Sequence, residues 1–218
     1  MHELKKPGYA GLFKLQKKMS TMIFSYNSIM YPINTIQPKR LSGNIFLVGM
    51  MGAGKTTVGK LLAQQLGKIF VDSDEEIQQR TGVTIPHIFD VEGEAGFRQR
   101  EASVIQDLVL LDNIVLATGG GTVLNENSRV ALCCNGIVVY LKSTIHDLWQ
   151  RTRHDRNRPL LQTADPHAKL KNMYEQRDPL YSQVANFVMP TGKQSAQSLV
   201  LHLQQELNQF SKLSHSNH

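Results

Sequence analysis

Cysteine is nearly absent from this chain. There are two in 218 residues, Cys133 and Cys134, and they are neighbours. Adjacent cysteines do not make an ordinary disulfide staple, and no spacing here suits a metal site. That excludes a disulfide-stapled scaffold and leads us to expect a reducing, cytoplasmic setting. Long hydrophobic runs are missing too, since no stretch approaches the ~18–20 apolar residues of a membrane span. A surplus of one charge sign is confined to one end. Lys5, Lys6, Lys14, Lys17, Lys18, Lys39 and Arg40 stand against Glu3 alone, which accounts for the whole net charge of +6. The balanced remainder has no overall electrostatic reason to seek nucleic acid or an anionic membrane. Repeats and low-complexity tracts are also lacking.

Residues 1–43 hold Pro7, Pro32, Pro38 and scattered lysines, with no sustained helical or alternating period. The stretch from Met19 to Ile33 is too polar for the core of a signal peptide. We expect a basic, disordered extension over residues 1–43. Met19, Met22 and Met30 are alternative starts, and a basic presequence is the competing reading. The domain then occupies residues 44–211, followed by a disordered tail over 212–218. At this length the chain suits one α/β domain with a substantial core.

From Asn44 onward apolar strands alternate with helical segments, the pattern of a parallel sheet flanked by helices. The strands expected are Ile45–Val48, Ile69–Val71, Ile114–Ala117, Ile137–Leu141 and Phe187–Met189. Helices are expected over Lys60–Leu66, Glu75–Arg80, Phe97–Leu111, Ile145–Arg151, Ala168–Tyr181 and Ser195–Phe210. The segment Arg153 to Pro166 has no period and reads as an exposed loop.

The most specific feature lies between the first strand and the first helix. Gly49 to Thr56 reads G-M-M-G-A-G-K-T, a complete phosphate-binding loop in the strand-turn-helix context that it requires. Gly49, Gly52 and Gly54 permit the turn, Lys55 reaches the β- and γ-phosphates, and the Thr56 hydroxyl suits Mg²⁺. An ordinary glycine-rich turn would not need every fixed position. A guanine-binding reading has little support, because no Asn/Thr-Lys-x-Asp segment exists and Asp90-Val91-Glu92-Gly93 is a short chance match.

Three further clusters narrow the chemistry. Asp72-Ser73-Asp74 follows the second strand, where parallel sheets bind ligands. Its carboxylates suit hydrated Mg²⁺ or an acceptor hydroxyl, and a helix cap at Ser73 or Asp74 is an equally simple use that excludes neither. Gly119-Gly120-Gly121 follows the third strand and allows close packing with exposed backbone N–H groups. Arg98 is suited to bidentate capture of a carboxylate, although taken alone it reads as a surface ion pair.

In order along the chain these segments resemble the shikimate kinases. They are Asn44 to Thr57, Phe70-Val71-Asp72-Ser73-Asp74, Arg80-Thr81-Gly82, Ile88-Phe89, Gly93-Glu94, Gly96-Phe97-Arg98 with Glu101, Leu116 to Gly121, Arg158-Pro159-Leu160-Leu161 and Arg177-Asp178-Pro179-Leu180-Tyr181. The resemblance covers about residues 44–208. It implies a single-domain P-loop kinase like the nucleoside monophosphate kinases, with a five-stranded parallel sheet in the order 2-3-1-4-5 and a mobile lid. The implied activity is transfer of phosphate from ATP to the 3-hydroxyl of shikimate, giving ADP and shikimate 3-phosphate, on the way to chorismate and the aromatic amino acids.

The resemblance also implies residue roles. Gly52, Ala53, Gly54, Lys55, Thr56 and Thr57 hold the ATP phosphates. Thr56 and Asp72 serve Mg²⁺, with Asp72 acting through water because the third strand runs into glycines and offers no separate carboxylate. Asp74 holds the acceptor hydroxyls and is the candidate base. Arg98 and Arg177 clamp the shikimate carboxylate, and Gly119, Gly120 and Gly121 add backbone contacts. Arg158 comes from the lid to the transferring phosphoryl group. Arg151 and the loosely matched Lys193-Gln194-Ser195 stretch, with Gln194 as its candidate contact, lie near adenine. The expected partners are shikimate and ATP, with no nucleic acid, no membrane and a monomeric state. The rivals are a kinase for another small polyol acid such as gluconate, and a nucleotide-binding module without catalysis.

Overall fold

Ile45, Phe46, Leu47 and Val48 are fully buried, as a strand covered on both faces must be. They belong to β1 (Asn44–Val48), the middle strand of a five-stranded sheet. The others are β2 (Ile69–Asp72), β3 (Ile114–Ala117), β4 (Gly136–Ser143) and β5 (Phe187–Thr191). The order is β2-β3-β1-β4-β5 with every pairing parallel, in agreement with the expected topology. Pro190 is tolerated because β5 is an edge strand. This computed structural model describes residues 43–155, 158–192 and 194–216, with only the backbone beyond residue 210. The extension expected over 1–43 therefore lies, apart from Gly43, outside the described residues, as does Lys193.

Seven α-helices flank the sheet among the described residues: α1 (Lys55–Leu66), α2 (Ser73–Thr81), α3 (Ile85–Leu108), α4 (Glu126–Asn135), α5 (Ile145–Thr152), α6 (Pro166–Val184) and α7 (Ala196–Ser216). Helix α1 starts at Lys55 rather than Lys60, directly from the glycine turn. Helix α3 starts well before Phe97, where Thr84 caps it by accepting from His87 N and Pro86 sits in its first turn. Gly93, at φ 69°, then redirects it. Helix α4, capped by Asn125, was not foreseen. Helix α7 continues to Ser216, so the boundary expected at 211 falls inside it. Among the described residues no helix is long and apolar enough to cross a membrane.

The order of the sheet decides where a ligand goes. β1 has β3 on one side and β4 on the other, so the chain leaves β1 at the point where strand order reverses. That is where open parallel sheets leave a crevice. The carboxyl ends of β1, β2 and β3 run straight into Gly49, Ser73 and Thr118. The three glycine- and aspartate-bearing segments singled out in the sequence therefore meet at one edge.

Candidate active site

Backbone conformation makes the phosphate loop. Gly52 has φ 80°, and a Cβ there would lie 2.7 Å from Thr152 Cγ2, so both strain and space select glycine. Gly54 at φ 95° caps α1, which presents its unpaired N–H groups to the loop. Lys55 Nζ donates to Gly49 O at 2.7 Å and Met50 O at 2.9 Å. Burial pulls its pKa down to about 8, with Asp74 opposing and Arg158 adding to the shift. Ala53 is buried, and its N–H closes a turn onto Met50 O. Arg151 donates to Gly52 O at 3.1 Å and so also braces the loop.

The Asp72-Ser73-Asp74 segment divides its labour. Asp72, not Ser73 or Asp74, is the N-cap of α2: its Oδ1 accepts from Asp74 N at 3.0 Å. Its other oxygen, Oδ2, accepts from the Thr56 hydroxyl at 2.9 Å. One carboxylate thus ends a strand, starts a helix and touches the phosphate loop. The buried Ser73 Oγ accepts from Gly119 N at 2.8 Å. Asp74 Oδ1 is buried without a hydrogen-bond partner. Burial pushes the Asp74 carboxyl up to about 7, helped by Glu101 and Asp72 and opposed by Lys55 and Arg158. A carboxyl poised near neutrality, one oxygen unpaired, suits a base that meets a hydroxyl.

Two of the three glycines, Gly119 and Gly121, are needed because site side chains lie on them, while a Cβ on Gly120 would come within 3.2 Å of the Met51 backbone N. A Cβ on Gly119 would collide with Glu101 Oε1 and come within 2.9 Å of Asp74 Oδ1; one on Gly121 would collide with the Arg98 guanidinium. One expectation is corrected here. The Gly119 N–H is already committed to Ser73, so it is not one of the exposed donors that the triple was expected to offer. Arg98 donates to Glu101 Oε2 at 2.6 Å and to Glu94 Oε1 at 3.0 and 3.3 Å. Three of its five N–H groups are thus engaged, and the rest are available to a ligand. Arg177 is almost wholly buried, donates to Gly120 O at 3.1 Å, and keeps its Nε unpartnered.

Two cavities share this edge. One, of about 350 Å³, is lined by Gly52, Gly54, Lys55, Thr56, Thr57, Asp72 and Arg151. The other, of about 670 Å³, is lined by Arg98, Glu101, Gly119, Gly121, Arg177 and an apolar side that includes Phe89 and Phe97. Met51, Asp74, Gly120 and Arg158 line both. The first has the donors for phosphate oxygens. The second has cations for a carboxylate and carboxylates for hydroxyls. A group passing between them would do so beside Asp74, Lys55 and Arg158.

Gln194 is not brought in: its amide donates to Pro190 O, and it lines neither cavity. Glu101 was quoted in the sequence pattern without a role, yet it is buried, fixes Arg98 and accepts from Thr122 Oγ1 at 2.9 Å. The helical spacing of Glu94, Arg98 and Glu101 was the available signal.

The sequence model of the family "Shikimate kinase" matches residues 51–208. A shikimate kinase of Nitrosospira multiformis is 58% identical over 166 residues, covering 76% of this chain and 85% of that protein. One of Nitrosomonas europaea is 53% identical over 193 residues, covering 86% and 92%. Among solved structures, shikimate kinase from Acinetobacter baumannii in complex with shikimate is 48% identical with a TM-score of 0.75, covering 77% of this chain and 93% of that one. A gluconokinase from Sinorhizobium meliloti, 18% identical at a TM-score of 0.56 over 83% of this chain and 100% of its own, shares the fold alone.

Proposed function

This chain belongs to the shikimate kinase family, and from that premise we propose that it transfers the γ-phosphoryl group of ATP to the 3-hydroxyl of shikimate, giving ADP and shikimate 3-phosphate. The observation that carries the reading is the wall common to the two cavities, where Asp74 and Arg158 face both. Phosphoryl transfer needs positioning and charge neutralisation more than strong proton abstraction. Lys55 and Arg158 supply positive charge to the phosphates, Arg98 and Arg177 hold the shikimate carboxylate, and Asp74 orients the 3-hydroxyl and takes its proton. Arg158, beside the short Pro159–Leu161 turn, belongs to a lid over 153–166 that excludes water. The gluconate alternative loses ground because the gluconokinase shares the fold at only 18% identity, against 53% and 58% for the shikimate kinases. ADP release measured side by side with shikimate, quinate and gluconate tests the assignment: shikimate should be the preferred acceptor by far, and equal rates with gluconate would overturn it.

The residues on the floor of the phosphate cavity fit Mg²⁺. The Thr56 hydroxyl donates its hydrogen bond to Asp72 Oδ2, which leaves its oxygen lone pairs for a hard cation, and Asp72 is the nearby carboxylate. We propose that Thr56 ligates the ion and Asp72 holds one of its waters. When bound, Mg²⁺ neutralises charge on the β- and γ-phosphate oxygens. Thr56→Ala should raise the Mg²⁺ concentration for half-maximal rate, and Asp72→Asn should do so more weakly. Unchanged Mg²⁺ dependence in both variants would place the ion elsewhere.

Gly121→Ala offers a test that leaves every functional side chain in the sequence. The added methyl displaces the Arg98 guanidinium from Glu101. Shikimate affinity should fall by about 1–3 kcal/mol, the size of a lost charged hydrogen bond, while ATP affinity without shikimate stays the same. Calorimetric titration of each ligand separates the two. The same reading takes the protein as cytoplasmic, in keeping with its two free cysteines, and as a monomer.

A further inference from the structure

The hydroxyl of Tyr181 is a buried group at the site that the mechanism above leaves unused. This residue lies on α6, four positions after Arg177, so both project from the same side of the helix. Its hydroxyl donates to Gly120 O, the carbonyl to which Arg177 also donates at 3.1 Å. Tyr181 is fully buried, with its ring centroid 5.0 Å from that of Tyr140 on β4. Its hydroxyl also lies 3.6 Å from Met50 Sδ in the phosphate loop. Burial pushes the phenol's pKa up, so it remains a neutral donor at every working pH.

We propose that Tyr181 is a positioning residue for the acceptor side of the reaction: by holding the Gly120 carbonyl toward α6 it fixes the Gly120–Gly121 peptide and gives Arg177 a stationary acceptor. The physical basis is the planarity of the peptide bond. A carbonyl and the N–H that follows it point in opposite directions, so the bond from Tyr181 turns the Gly121 N–H away from α6. Glycines on both sides of this peptide leave it free to rotate, and nothing in their own side chains can hold it. Arg177 alone would be a poor pin, because its guanidinium also lines the larger cavity and must serve a ligand there. With Tyr181 on the same oxygen, the carbonyl stays in place and Arg177 stays aimed into the larger cavity. Tyr181 itself lines neither cavity. It acts through Gly120 and Arg177.

The inference rests on the shikimate kinase reading, so the parent protein is assayed first: a parent that does not phosphorylate shikimate overturns that reading and this one with it, whereas an active parent leaves the variants to test this one alone. Tyr181→Phe is the test, since it keeps the ring against Tyr140 and leaves Gly120 O still bonded by Arg177. The KM for shikimate should rise about five- to tenfold, the size of one lost hydrogen bond. The KM for ATP and kcat should change less than about twofold. In an Arg177→Ala background the same change should have little further effect on the KM for shikimate, because the residue it steadies is gone. A KM for shikimate equal to the parent's overturns the proposal. So does a parallel rise in both KM values with a lower melting temperature, which would make Tyr181 a general structural residue. Equal effects in both backgrounds would show that it does not act through Arg177, and would overturn it as well.

Discussion

Replacing Asp74 with asparagine should slow phosphoryl transfer by about 10²–10⁴-fold, the usual contribution of a positioned base, and should at the same time make the protein harder to unfold. Both effects come from one carboxyl whose pKa is raised to about 7 by burial, with Glu101 and Asp72 adding to it. The native state holds this proton more tightly than the unfolded chain does. The contribution to stability is therefore present at low pH and is lost as pH rises from the ordinary aspartate range through 7. Above pH 7 the parent carries a buried charge, only partly offset by Lys55 and Arg158, that asparagine does not. The variant should be more stable there by about 1–3 kcal/mol, and by much less near pH 4. Activity gives the complementary reading. In the parent, kcat/KM should fall below pH 7 as Asp74 takes up a proton, and above pH 8 as Lys55 loses one, its pKa being about 8. The acid limb should disappear in the variant. Near-normal turnover in Asp74→Asn would leave Asp74 with no catalytic part.

The second large effect is expected at the two arginines, and they should differ in an informative way. Arg177→Ala and Arg98→Ala should each weaken shikimate binding by about 2–5 kcal/mol, as truncating one partner of a buried charge pair does. Neither should alter ATP affinity measured without shikimate. Only Arg98→Ala should also lower stability. It leaves Glu101, whose side chain is 3% exposed, without its guanidinium partner, at a cost of about 1–3 kcal/mol. In Arg177→Ala the Gly120 carbonyl keeps its bond from Tyr181. Thermal unfolding of the two variants beside ligand titrations tests the whole pattern. Equal loss of ATP and shikimate affinity would remove the clamp from both arginines.

The contrast between what could be read in the chain and what could not follows from distance along it. The phosphate loop is contiguous, so its strand, its glycines and its lysine announce themselves together, and helix α1 opens at Lys55 directly after them. β1, β3 and β4 were legible for a similar reason, because strands buried on both faces are short apolar runs, and the half-buried β2 and edge strand β5 are short, largely apolar runs as well. Helix α4 was not, since Glu126 to Asn135 mixes polar and apolar residues without a clear stripe. The front of α3 was hidden because Gly93 leaves helical geometry and so interrupts the periodic pattern ahead of Phe97. Side-chain roles that depend on remote partners were the least legible. Ser73 gains its purpose from Gly119 and Tyr181 from Gly120, each many residues away. Asp72 looked like a metal residue beside a helix cap, and it turned out to be the cap itself while still touching Thr56.

The lysine of the phosphate loop has a consequence for how nucleotide is received. Its ammonium rests on two carbonyls of its own loop, Gly49 and Met50, and Arg151 bridges across to a third. The loop is thus held around its own cation by bonds internal to the fold. A loop braced in this way has few backbone conformations to give up when it binds phosphate. Little conformational entropy is lost at that step, and more of the attraction between phosphate and protein survives as affinity.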